Sequence, residues 1–148
     1  MIIPPIFEIG AVSVIASGVA RHEHIAFRPT EPVNLAQFGI LLGFQQENSV
    51  VTPIKDNLFW FGELEVSPPC WVVLYTGKGE YHVTHHFQTK HPVHVFYWGR
   101  ETTLFKAREV VPVLVRMGGV AIGGHLTPPP KFAELLLAAP PAAPSSTR

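Results

Sequence analysis

At 148 residues and 16.3 kDa, the chain has the size of one domain. Apolar residues make up 47% and charged residues only 15%, with 11 basic residues balancing 11 acidic ones; an average soluble domain carries ~25% charge. This excludes a disordered chain, a coiled coil and a strongly basic nucleic-acid module, while 15 Pro and 12 Gly exclude a helical bundle.

Residues 9–20 are mostly apolar, but Glu8 rather than a basic cluster precedes them, and Pro4 and Pro5 interrupt the approach. A signal peptide needs a basic lead-in and a membrane helix needs ~20 apolar residues. The stretch therefore reads as the first strand or two of the fold, with no membrane span. Cys70 is the single cysteine, so no internal disulfide forms and a cytoplasmic chain is expected. Following Pro68 and Pro69, Cys70 reads as a small residue at a strand start.

Most of the remaining chain has a period of two. Strands are expected over 22–27, 57–66, Trp71–Tyr75, 80–87, 93–98, Val110–Arg116 and 120–122. The run WVVLY at 71–75 is apolar throughout, as in a strand covered on both faces. Thr76, Gly77, Lys78 and Gly79 have the chemistry of a hairpin turn. Two segments are ambiguous. Residues 34–43 open with a cap-like Asn34-x-x-Gln37, yet Gly39 and Gly43 would each cost a helix ~1 kcal/mol. Residues 101–110 fit one short helix capped by Thr102 or Thr103. The clearest helix is 131–139 (KFAELLLAA), set between proline clusters, and 140–148 reads as a flexible Pro/Ala-rich tail. The expected architecture is a single all-β domain over 1–139, an antiparallel sandwich or jelly-roll-like barrel with a short C-terminal helix.

The densest feature is YHVTHHFQTKHPVHVFYW at 81–98, with five of the eight histidines. If Phe87 and Val93 close a hairpin, Tyr81, Val83 and His85 share a core-directed face with Val93, Val95 and Tyr97. The outer face then carries His82, Thr84 and His86 with His94, Phe96 and Trp98, and His86 stands opposite His94. Cβ atoms of opposed strand residues lie ~4.5–5.5 Å apart, so that pair could share an ion. His22 and His24 are two apart on another expected strand, ~7 Å from each other on one face. A site of His22, His24, His86 and His94 would suit Zn, Fe or Ni. A His-x-His on a β-barrel is similar to the cupin motif, but Phe27 and Arg28 stand where a cupin carries Glu, and no cupin property is carried over.

No Ser/His/Asp set can be assembled from spacing, and Asp56 is the sole aspartate. The basic residues are scattered, so no nucleic-acid partner is expected. Sparse charge, 10 Phe, 3 Trp and 3 Tyr instead favour an interface. The reading is a non-catalytic β-rich subunit that self-associates as a homo-oligomer or binds a protein partner, in a structural, adaptor or inhibitor role. The binding surface is expected at His82, His86, His94, Phe96 and Trp98. The alternative is a metal-dependent enzyme or metal-binding barrel using the histidine cluster. An apolar ligand carrier is a third class.

Overall fold

A computed structural model describes residues 4–48 and 50–126. The expected helix at 131–139 and tail at 140–148 lie outside the described residues. Among the described residues ten strands follow in chain order: β1 (Ser13–Ile15), β2 (His24–Phe27), β3 (Val33–Asn34), β4 (Phe38–Gln45), β5 (Val51–Trp60), β6 (Glu65–Val66), β7 (Trp71–Tyr75), β8 (His82–His85), β9 (Pro92–Tyr97) and β10 (Val110–Arg116). They form a five-stranded sheet in the order β1-β2-β7-β9-β8, a three-stranded sheet β10-β4-β5, and the pair β3-β6. The all-β class holds.

The antiparallel expectation is corrected at one place. β7 and β9 run parallel, so the larger sheet is mixed. β9 lies between β7 and β8, and Thr76–Gly79 is therefore a crossover link rather than a hairpin turn. Within that link a Cβ on Gly79 would stand 2.5 Å from the ring of Tyr97. Only glycine lets the backbone pass beneath this ring.

The inner faces of both sheets supply one core. Ile25 and Phe27 from β2, Val72 and Leu74 from β7 and Phe96 from β9 meet Phe38, Ile40 and Leu42 from β4. Phe61 joins them through edge-to-face contacts with Phe27 and Phe96, at ring-centroid distances of 5.7 and 5.1 Å.

The two ambiguous segments resolve differently. Asn34 does cap a turn, its side-chain oxygen accepting from the Ala36 N–H at 2.9 Å. The helix is only the 3-10 turn Leu35–Gln37, and the chain then extends into β4. Gly39 and Gly43 explain why, since both oppose a helix and suit a sheet where backbones approach closely: a Cβ on Gly43 would meet Val51 at 2.2 Å. Residues 101–109 form no helix and run as bends and turns.

What holds 101–109 is Glu23, only 1% exposed. Its Oε1 accepts from Thr76 Oγ1 at 2.9 Å and Leu104 N at 2.7 Å. Its Oε2 accepts from Gly18 N at 2.7 Å and Phe105 N at 3.0 Å. Every neighbour is a donor, as an acceptor-only carboxylate requires. Ser17 Oγ donates to the Phe105 carbonyl beside it, and the Phe105 ring is buried in the core.

Replacing Glu23 with Ala strands four donors around a buried gap. Glu23→Ala is expected to destabilise the fold by at least about 3 kcal/mol, and Glu23→Gln, which keeps one accepting oxygen, by about 2 kcal/mol. Urea unfolding checks both; a loss under about 1 kcal/mol for the alanine variant would show that 101–109 is anchored elsewhere.

Candidate functional site

The histidine hairpin forms with a different register. His82 pairs with Val95, Val83 with His94, Thr84 with Val93 and His85 with Pro92. This is three residues away from the expected Phe87–Val93 closure. The turn causes the slip. His86 N–H donates to the His91 carbonyl at 2.8 Å and Lys90 N–H to the His86 carbonyl at 2.9 Å, while Lys90 takes the left-handed conformation at φ 64°. His86 Nδ1 accepts from the Gln88 and Thr89 N–H groups, at 3.2 Å each. Its ring thus caps the loop. Pro92, expected in the loop, is the first strand residue, where its missing N–H costs least.

A slip of odd length exchanges the faces of one strand relative to the other. The core-directed face of the hairpin carries Tyr81, Val83 and His85 with His94, Phe96 and Trp98; the outer face carries His82 and Thr84 with Val93, Val95 and Tyr97. Phe96 is 8% exposed and belongs to the core, and Trp98 packs against that core. Of the five expected interface residues, His82 lies on the outer face, His86 in the loop, and His94, Phe96 and Trp98 on the inner side.

The expected metal set does not converge. His24 stands opposite Tyr75, which stands opposite Tyr97, on the outer face. His94 stands opposite Val72 on the inner face. His22 is exposed in the turn before β2, and its carbonyl engages His24 Nδ1 at 2.8 Å. Pairing of His86 with His94 is likewise replaced: Val83 opposes His94. Among the described residues no group of three or more His, Cys, Asp or Glu side chains could hold a metal ion.

His94 is half-buried, and its ring lies parallel to that of Tyr81 with the Tyr81 hydroxyl 3.1 Å from Nδ1. Burial lowers its pKa below the ordinary imidazole value. The unfolded chain therefore takes up a proton on this side chain at higher pH than the folded one. Stability is expected to be full above the ordinary histidine pKa and to fall as pH drops through it towards the folded value. Urea midpoints at pH 7.5 and pH 5 in wild type and His94→Phe check this; the variant is expected to lose less on acidification, and an equal loss would place the effect on other groups.

Cys70 is buried at the start of β7. Burial raises its thiol pKa, a shift that the Arg28 charge partly offsets. Few thiolates form at neutral pH, so the native protein is expected to react with a disulfide reagent only as fast as it unfolds. A fast native reaction, followed by thionitrobenzoate release, would contradict this.

One feature had no single signal in the sequence. Four rings cross the outer face of the larger sheet, one per strand: His24, Tyr75, Tyr97 and His82. Neighbouring centroids lie 4.8, 5.5 and 6.0 Å apart. A second ridge is Trp71 beneath the Arg28 guanidinium, 4.9 Å from the ring centroid. Between the ridges Ala26, Val73 and Val95 form a buried row. The alternation of Trp71, Val73 and Tyr75 carried this information, but an all-apolar run conceals which residues face outward. Beside the ring ladder a cavity of about 580 Å³ is lined by Arg21, Lys78, Arg100 and Glu101. Its cations are partly engaged: Lys78 pairs with Glu101 at 2.5 Å, and Arg100 donates to Asn57 Oδ1 at 2.8 Å.

A cavity of about 1080 Å³ forms a groove along β10, bordered by the N-terminal segment around Pro5, Ile6 and Ile9. Glu8 reaches across to Arg116 at 3.4 Å. Beyond β10, Val120, Ile122 and Leu126 are exposed, and the strand expected at 120–122 does not form among the described residues.

Among the described residues no helix is long and apolar enough to cross a membrane. Compared with known proteins, the chain matches no family model, and no curated protein or solved structure matches it significantly.

Proposed function

We propose that the chain is a non-catalytic two-layer β subunit whose role is structural self-association. The observation that carries this reading is the outer face of the β10-β4-β5 sheet. Residues opposed in the ladders place Leu41 beside Leu58 and Val113, and Gly39 beside Trp60 and Val115. Leu58 is 54% exposed and Trp60 52%. Large apolar side chains grouped on one sheet face mark an interaction surface rather than scattered exposure. Gly39 and Gly43 flatten this face, which suits contact with another sheet at ~10 Å separation. A second copy of the same face supplies that shape and apolar character, and it needs no charge to match.

The histidine hairpin supports the same reading. β8 is an edge strand exposed on both faces, and Phe87 at its tip faces water. Edge strands of this kind invite pairing. His82 and His86 then belong to the rim of a contact surface. Phe96 and Trp98 support that surface from within.

Multi-angle light scattering of the full chain over a range of concentrations tests the reading. The expected mass is a multiple of 16.3 kDa, falling towards one copy in Leu58→Asp. A single-copy mass for wild type at every concentration would overturn it.

A further inference from the structure

We propose that residues 118–126 form an exchange arm, which leaves its own copy and adds as a strand to the β10 edge of a second copy. This rests on the self-association reading and specifies how the copies join.

The first observation is the state of the β10 edge. Met117 N–H donates to the Gln37 carbonyl at 2.7 Å, and Gln45 N–H to the Glu109 carbonyl at 2.7 Å. Both pairs continue the β10–β4 register. In an antiparallel ladder, hydrogen-bonded pairs recur every second residue. Val111, Val113 and Val115 therefore bond to β4, and Val110, Pro112, Leu114 and Arg116 turn their backbone groups the other way. Val110 N–H is used by the Ala107 carbonyl, and Pro112 has no N–H to lose. The N–H groups of Leu114 and Arg116 and four carbonyls remain along this side, with no backbone partner among the described residues. Residues 111–118 line the groove of about 1080 Å³.

The second observation is the arm. MGGVAIGGHL at 117–126 contains no Asp, Glu, Lys or Arg. Val120, Ile122 and Leu126 alternate as in a strand, and Ile122 is 94% exposed. Among the described residues nothing lies within 4 Å of a Cβ placed on Gly118, Gly119, Gly123 or Gly124, so the arm stands clear of the described body. Among the described residues a strand-like sequence thus lacks a sheet, while a sheet edge lacks a strand. Seven residues at 120–126 span ~23 Å when extended, against ~26 Å for 111–118 beside the groove. Arg116, the one charged residue among the described residues lining the groove, is paired with Glu8, which suits an uncharged occupant. Strand addition draws affinity from the backbone and specificity from alternate side chains, here Val120 and Ile122. Glycines 118 and 119 provide the pivot that such an exchange requires.

Two measurements on the full chain test this. Ile122→Asp alters a side chain that touches no core, so its thermal midpoint at high dilution should match wild type. Its mass by light scattering should fall to 16.3 kDa. Variants with one added cysteine, Val113→Cys and Ile122→Cys, mixed, unfolded, refolded together and treated after refolding with a short bis-maleimide, should yield a heterodimer; native Cys70 is buried and stays unlabelled. If wild type oligomerises but Ile122→Asp keeps the same mass, the copies associate without the arm and the proposal fails alone. If Val113→Cys/Ile122→Cys cross-links within one chain and the singles give no heterodimer, the arm folds back on its own β10 and the exchange is wrong. A single-copy wild type would remove the self-association reading itself.

Discussion

The Glu23 carboxylate is the point through which the chain's path between its two sheets is fixed. β9 ends in the larger sheet and β10 begins in the smaller one. The segment joining them has little regular structure to define its course. Glu23 takes the N–H groups of Leu104 and Phe105 from 81 and 82 residues away. It holds Thr76 at the end of β7 and Gly18 in the turn before β2 with the same two oxygens. A buried carboxylate tolerates burial only when its lone pairs are taken, and here donors from three separate segments take them. The Phe105 side chain can then enter the core, and β10 starts where it can pair with β4.

This interaction also explains where sequence reasoning succeeded and where it stopped. β7 and β10 were legible to the residue because each is a nearly uninterrupted apolar run, Trp71–Tyr75 between Pro69-Cys70 and Thr76-Gly77, and Val110–Arg116 between the charges of Glu109 and Arg116. Asn34 was legible as a cap, since its partner lies two residues away. Residues 101–110 were not. Their composition suits a helix, but two N–H groups that would sit in its first turn are bound by a side chain from a distant part of the chain. No local pattern announces such a partner, and His22-Glu23-His24 drew attention to its histidines rather than to the glutamate between them.

The hairpin shows a second limit. β9 is apolar on both faces, with Val95 and Tyr97 alternating with Phe96 and Trp98, so its pattern does not say which face meets the core. Register then rests on the turn. The decisive features there are the left-handed Lys90 and the His86 ring closing over two N–H groups. Five histidines in one hairpin suggested a shared ligand site. Once the strands slip by three residues, His82 and His94 stand on opposite faces. Several of these rings instead do local work: one caps a loop, one stacks on a tyrosine and one extends a ladder of rings.

The free strand edges differ in how they are defended. β5 is ten residues long, yet it carries Pro53, Lys55 and Asp56, the last in a left-handed conformation beside a shift in register. Proline, charge and a bulge are the usual means of keeping an edge from pairing. β1 is only three residues long and β8 four. β10 is seven residues of mostly valine, with one proline near its start, one charge at its end and an apolar groove alongside. The low charge of the whole chain is thus not spread evenly over its edges. Protection is spent on β5, which closes the small sheet on one side, and withheld from β10, which opens it on the other.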